Sequence, residues 1–271
     1  MLWIEAVRGH ISHLSDDPYA LEFVWRQIHH MTKLEWLNLM QEKITDEDFS
    51  ALTAIATQLR HHTPPQYIVG WTEFCDLHFK VDARVLIPRP ETEELVQMIL
   101  TENKTDELSV LDIGTGSGAI AVSLGKARPS WKITASDISA AALDLAQENA
   151  KANAVAIDFI ESDILANLTG RFDLIVSNPP YIDRADISEV DLSVNSYEPH
   201  SALYAENQGL AIYEKIAIQS PKHLTEKGKI YLEIGYKQGE AVKALFEASF
   251  PEKNVEVHQD FAGKDRMVSV R

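Results

Sequence analysis

The sequence predicts an α/β protein: a mostly parallel sheet covered by helices on both faces, preceded by a small helical bundle and a β-hairpin. Three observations predict it. Beyond residue 105, short apolar strand candidates alternate with helical stretches, the pattern of a parallel sheet with crossover helices. The first strand runs into a helix through "VLDIGTGSGAIAVSL", where Gly114, Gly116 and Gly118 mark a tight turn. Up to about Thr63, apolar residues recur at mixed three and four spacings, as on helices.

In the N-terminal stretch, Leu21, Val24, Trp25 and Ile28 mark one apolar face, and Leu34, Leu37 and Met40 mark another. Thr45 followed by Asp46, Glu47 and Asp48 reads as the capped start of a helix through Leu52, Ile55, Ala56 and Leu59. Pro64 and Pro65 end this section. In "QYIVGWTEFCDLHFKVDARVLIPRP", Leu77, Phe79 and Val81 alternate with polar neighbours, as in a half-exposed strand of a hairpin between two domains. Pro88 and Pro90 then fix the entry to a helix whose first turn holds Glu91, Glu93 and Glu94, suited to the positive end of the helix dipole.

Strands are expected at Ser109 to Ile113, Lys132 to Ser136, Ala156 to Glu161, Phe172 to Ser177, Lys229 to Ile234 and Val255 to Gln259, with helices at Ala119 to Ala127 and Ala140 to Ala152. The closing "RMVSVR" follows "VEVHQ" too closely for a parallel crossover, so an antiparallel hairpin partner is expected. The resulting division is 1–63 helical domain, 64–90 hairpin linker and 91–271 nucleotide-binding domain.

Composition narrows the function. With 45% hydrophobic and 24% charged residues, the 271-residue chain reads as globular. Its 25 Lys and Arg against 41 Asp and Glu give a formal charge of -16, so direct binding to a nucleic-acid backbone is not expected. The start "MLWIEAVRGHISHLSDD" carries Glu5 and Arg8 within its apolar stretch, unlike a signal peptide, and no apolar run suits a bilayer; a cytoplasmic monomer is the expectation. Cys75 is the sole cysteine and reads as a packing residue. None of the ten histidines falls in an HExxH pattern, and no metal site is expected.

The glycine turn lets a ligand approach backbone N–H groups. With Ala119 it also satisfies the permissive dinucleotide form GxGxxA, which keeps an NAD enzyme in view. Asp137 ends the second strand 19 residues after Gly118, where a carboxylate can accept both hydroxyls of a ribose or cap the next helix. Asp163 ends the third strand and is placed to reach an adenine amino group or to make a turn, with Ile164 as an apolar wall.

The fourth strand delivers "SNPPY" to the same edge, where open α/β sheets bind ligands. Two prolines fix the backbone carbonyls of Asn178 and Pro179, and the Asn178 amide offers both an acceptor and donors. Such a shelf fits a planar NH₂ group.

Asp112 with Gly114, Gly116 and Gly118, then Asp137, then Asn178, Pro179, Pro180 and Tyr181, resemble the motifs of class I S-adenosylmethionine-dependent methyltransferases acting on amide or conjugated amine nitrogens. Within that group, "PPQYIVG", "VLIPRPETE", "SNPPYI" and "YEPHSALYAENQGL" resemble the HemK/PrmC protein-glutamine N5-methyltransferases, which modify the glutamine of the Gly-Gly-Gln motif in peptide chain release factors. The likeness spans nearly the whole chain. It implies a doubly wound, mostly parallel seven-stranded sheet with an antiparallel last strand, an N-terminal helical domain that helps bind the release factor, and S-adenosyl-L-methionine as cofactor.

By this resemblance the cofactor is held by Gly114, Thr115, Gly116, Ser117, Gly118, Asp137, Asp163 and Ile164 with Asn178. The substrate amide falls to Asn178, Pro179, Pro180 and Tyr181, with Tyr181 packing on its flat face. Arg89, Glu91 and Glu198 lie in family-like segments as pocket-shaping residues, or else as solvated charges and a helix-start acid. Some relatives carry an aromatic residue where this chain has Ile164. Three other readings are a DNA adenine N6-methyltransferase, which shares Asn-Pro-Pro-Tyr, an NAD oxidoreductase, and a nucleotide-binding interaction protein without catalysis.

Overall fold

The computed structural model describes residues 1–14, 17–105 and 107–271. The chain forms two compact units, one of Met1–Trp71 with Asp191–Tyr197, the other of Thr72–Val190 with Glu198–Arg271. Ser15 and Asp16, inside the stretch read as helical, lie outside the described residues.

The first unit holds helices α1 (Trp3–Ile11), α2 (Ala20–Ile28), α3 (Lys33–Leu39), α4 (Asp46–Arg60) and α5 (Pro65–Val69). Thr45 caps α4, its side chain accepting from Asp48 N at 3.1 Å. The core is built on tryptophan: the ring of Trp3 meets Trp25 edge-on at 4.8 Å and Trp36 at 6.3 Å, and Leu21, Val24, Leu52 and Ala56 fill the space around them. Of the expected apolar face of Leu34, Leu37 and Met40, Met40 is buried just past α3, but Leu34 and Leu37 are corrected here, because both are exposed and α3 turns Trp36 inward instead. Helix α3 is only 7 residues long, and burying its one large aromatic side chain outweighs burying two leucines. Ile28, at the end of α2, is likewise exposed.

The second unit, from Thr72, opens within the hairpin β1 (Trp71–Phe74) and β2 (Leu77–Lys80), then α6 (Pro90–Glu102). Strand β3 (Ser109–Ile113), α7 (Ala119–Ala127), β4 (Lys132–Asp137), α8 (Ala140–Ala152), β5 (Asp158–Glu161) and β6 (Phe172–Ser177) follow the expected alternation. A short excursion carries β7 (Ile182–Asp183), α9 (Leu192–Tyr197, part of the first unit) and β8 (Tyr204–Ala205). Then come α10 (Ala211–Gln219), β9 (Leu224–Glu233), α11 (Gly239–Ser249), β10 (Val255–Gln259) and β11 (Asp265–Val270).

The seven-stranded sheet has the order β10-β11-β9-β6-β3-β4-β5. Strand β11 runs antiparallel to both neighbours, β9 and β10, while β3, β4, β5, β6 and β9 pair in parallel. The sheet is buried on both faces, which explains the continuous apolar runs. In β6, Leu174 and Val176 join the core under α6 and α7, and Ile175 joins the one under α10 and α11. The chain steps from β3 outward to β5 and returns on the other side of β3 as β6. That reversal opens a crevice at the carboxyl ends of the strands, and it positions the site. No helix among the described residues is long and apolar enough to cross a membrane.

Candidate active site

A cavity of about 330 Å³ lies along this edge. Its floor is the turn after β3. Gly114 and Gly116 take φ of 69° and 55°, and a Cβ placed on either would meet nothing within 4 Å, so the space above them is open to a ligand. Gly118, at φ 81°, is different: a Cβ there would sit 3.2 Å from Ala146 Cβ, and the residue is not on the cavity wall. Its role is close packing of α7 against α8. Thr115 and Ser117 line the cavity between the glycines. The Thr115 hydroxyl donates to Asp112 Oδ2 at 2.6 Å, and burial pushes the Asp112 carboxyl up to about 7.

Asp137, at the end of β4, lines the same cavity. Its Oδ2 accepts from Gly116 N and its Oδ1 from Ser139 N, both at 2.9 Å. Capping of α8 is left to Ser139, whose hydroxyl accepts from Ala142 N. Burial raises the Asp137 pKa, a cost that hydroxyl donors from a ribose would reduce. Past β5, Asp163 lies on the wall in an exposed ion pair with Lys215 at 3.5 Å, and Ile164 beside it is buried. Ile164 holds φ 56°, a costly conformation for a β-branched residue, which turns the chain under the cavity.

The fourth side comes from β6. The Ser177 hydroxyl donates to Ile113 O at 2.7 Å, tying the ends of β6 and β3 together. Asn178, Pro179 and Pro180 follow directly on the cavity wall. Asn178 Nδ2 donates to Thr92 Oγ1 at 3.1 Å, which leaves Oδ1 as the acceptor of this side chain. Tyr181 is not among the lining residues. Its ring packs against the core and Gly235, its carbonyl accepts from Gln238 Nε2 at 3.0 Å, and burial pushes its hydroxyl up to about 12.

Arg89 lines the cavity and pairs with Glu198 at 2.5 Å. Glu198 is 3% exposed and also accepts from Ile87 N at 3.0 Å, so it ties the segment before α6 to the one after α9. Glu91 is a first-turn acid of α6 and lies off the cavity wall.

The groups present fit S-adenosylmethionine better than a dinucleotide. Open space over two glycines, a buried carboxylate that gains from hydroxyl donors and an apolar wall at Ile138, Ala142 and Ile164 suit an adenosine. The Asp137 carboxylate on the cavity wall would repel a pyrophosphate but favour a cationic sulfonium.

Comparison with known proteins shows which family the chain resembles. A model described as methyltransferase small domain matches residues 91–193, and one described as PrmC N-terminal domain matches residues 12–70. The release factor glutamine methyltransferase of Lactococcus lactis subsp. lactis is 62% identical over 271 residues, covering 100% of both chains. The chain belongs to the release factor glutamine methyltransferase family. The Streptococcus pneumoniae release factor glutamine methyltransferase is 51% identical over 256 residues, covering 94% of this chain and 92% of its own. A solved methyltransferase from Pyrococcus furiosus superposes with a TM-score of 0.54 at 19% identity, covering 72% of this chain and 87% of that one, and shows the shared fold.

For a chain of the release factor glutamine methyltransferase family, three contributors to the site escape sequence reasoning. Thr92 and Glu233, 141 positions apart, are joined by a 2.6 Å hydrogen bond behind Asn178. Asn149 donates to Ser117 O at 2.8 Å and exchanges bonds with the Lys80 backbone, clamping the glycine turn to the hairpin. The only local signal for Thr92 is its place in "RPETE"; Glu233 and Asn149 look like ordinary strand-end and helix residues.

Proposed function

We propose that this chain transfers the methyl group of S-adenosylmethionine to the side-chain amide nitrogen, N5, of the glutamine in the Gly-Gly-Gln motif of peptide chain release factors. The observation that carries the reading is the acceptor at Asn178 beside the open glycine turn, in a chain 62% identical over its full length to a release factor glutamine methyltransferase. Gly114, Thr115, Gly116, Ser117, Asp137 and Ile164 would hold the cofactor, with Asp137 on the ribose. When bound, the cofactor supplies a methyl carbon already activated by its sulfonium.

An amide nitrogen is a poor nucleophile because its lone pair is delocalised into the carbonyl. Asn178 Oδ1 and the Pro179 carbonyl each accept one N–H of the glutamine amide, which favours electron density on nitrogen and fixes its direction of approach. With the cofactor held by these residues, the nitrogen so aimed would accept the methyl group, and a neutral thioether would remain. One amide proton then departs to water, so no histidine or carboxylate base is needed at the nitrogen. A cytoplasmic location belongs to the same proposal.

Purified chain with methyl-labelled cofactor should label a release factor on its Gly-Gly-Gln glutamine, mapped by mass spectrometry, and leave DNA offered in parallel unlabelled. Label on DNA alone would transfer the reading to an adenine N6-methyltransferase, against which the -16 charge argues. Asn178→Ala should abolish transfer while cofactor affinity is largely kept.

A further inference from the structure

We propose that Thr92 and Glu233 are positioning residues that set the rotation of the Asn178 amide, so that Oδ1 rather than Nδ2 is presented to the substrate. The inference rests on the methyltransferase reading and deepens it. Asn178 lines the cavity, while Glu233, at the end of β9, is 2% exposed and Thr92 is 4% exposed. A threonine hydroxyl has a single hydrogen, and this one goes to Glu233 Oε2 at 2.6 Å. Its oxygen can therefore only accept from Asn178, which it does from Nδ2 at 3.1 Å. An asparagine amide rotated by a half-turn would place two donors where the glutamine amide brings its own donors, and the site would repel its substrate. A carboxylate at the end of the chain of bonds, acceptor only, makes the polarity one-way.

The surroundings of Glu233 are mixed. Arg266 on β11 attracts it and is itself paired with Asp260 at 3.2 Å, Glu91 on α6 repels it, and the Tyr213 hydroxyl on α10 donates to its backbone carbonyl at 2.8 Å. Tyr181 stands near the same carboxyl and near Arg266. Burial outweighs the hydrogen bonds from Thr92 and Asn178 and the pull of Arg266, and holds the Glu233 carboxyl at about 7. Protonated Glu233 can donate to Thr92, which releases the hydroxyl hydrogen to Asn178 Oδ1 and turns the amide. The polarity is thus complete only above neutral pH.

The full-length chain is assayed with cofactor and a release factor. Thr92→Val should lower kcat by about tenfold to a hundredfold, with KM for the release factor and cofactor affinity within about twofold of wild type, and Thr92→Ser should restore most of the rate. Glu233→Gln, which keeps shape but can donate, should lower kcat and remove the acid limb near neutrality from the kcat profile. Independently of turnover, the side-chain amide signals of Asn178 in asparagine-labelled protein should titrate with Glu233, lose that response in Glu233→Gln and show a weaker one in Thr92→Val, where only the direct bond from Asn178 to Glu233 remains. Wild-type kcat in Thr92→Val, a Thr92→Ser variant as slow as Thr92→Val, or an Asn178 amide indifferent to Glu233→Gln overturns the proposal. A wild-type chain that leaves the release factor unlabelled overturns the functional reading instead, and the amide titration still decides the relay.

Discussion

Asp137 takes the amide hydrogen of Gly116 at 2.9 Å, so one carboxylate both shapes the glycine turn and faces the cavity above it. Its second oxygen takes Ser139 N, which anchors the start of α8 to the same group. An asparagine at this position has one acceptor oxygen and must abandon one of the two bonds or present its NH₂ to a backbone N–H. Asp137→Asn should weaken S-adenosylmethionine binding by about tenfold to a hundredfold and lower stability by about 1–2 kcal/mol. Isothermal titration with the cofactor and urea unfolding separate the two effects. Unchanged affinity would remove Asp137 from the cofactor's contacts.

The glycines of the turn divide by what lies beyond their missing side chains. Gly118→Ala meets Ala146 at 3.2 Å as well as an unfavourable φ of 81°, so it should cost about 1–3 kcal/mol in stability. Gly114→Ala meets no protein atom within 4 Å and should cost about 1 kcal/mol from its φ alone. Its methyl group instead enters the ligand space, so cofactor affinity should fall more than stability does. Thermal melts with and without S-adenosylmethionine test this: the Gly114 variant should lose its ligand-induced shift, and the Gly118 variant should keep a shift from a lower baseline. The reverse pattern would contradict the assignment of these two roles.

What could be read in the sequence was local. The strand from Ser109 to Ile113, the glycine turn, Asp137 at its strand end and the Asn-Pro-Pro shelf each depend on neighbours a few positions away, so their residue types announce them. Thr92 and Glu233 were silent because their meaning comes from a bond across 141 positions that only the sheet order creates. The insertion of β11 between β9 and β10 was equally non-local; the hairpin was legible, its second partner was not. In α3, periodicity pointed to Leu34 and Leu37, but the contact of Trp36 with the Trp3 ring set the rotation of the helix.

Glu198 and Arg89 test how much of the cavity rim depends on one ion pair. Glu198 is nearly fully buried, whereas the Arg89 side chain is 33% exposed. Arg89→Ala leaves the carboxylate with its hydrogen bond from Ile87 N but without its cation, at an expected cost of about 2 kcal/mol, below the value for a fully buried pair. Adding Glu198→Gln removes the stranded charge, so the double variant should lose less than the sum of the single ones. Urea unfolding of all four proteins measures the coupling. Strict additivity would show that the two residues do not stabilise each other.

Stability and activity should move in opposite directions with pH. Asp112 and Glu233 each have a carboxyl raised to about 7 by burial, well above the values of 3.8 and 4.5 for exposed groups. Between those limits the folded chain holds protons that the unfolded chain has released, so both groups stabilise the fold in acid and lose that contribution as pH rises through about 7. His10, whose pKa is lowered first by burial, works the other way, losing stability as pH falls. The informative quantity is therefore the difference between variants. Glu233→Gln and Asp112→Asn should each flatten the decline in unfolding free energy between pH 5.5 and 8, a range chosen as roughly one and a half units below and one above the raised values. Over the same interval, methyl transfer by the wild-type chain should rise, because ionised Glu233 orients Asn178. A decline of equal slope in all three proteins would show that neither carboxyl holds its proton in the fold.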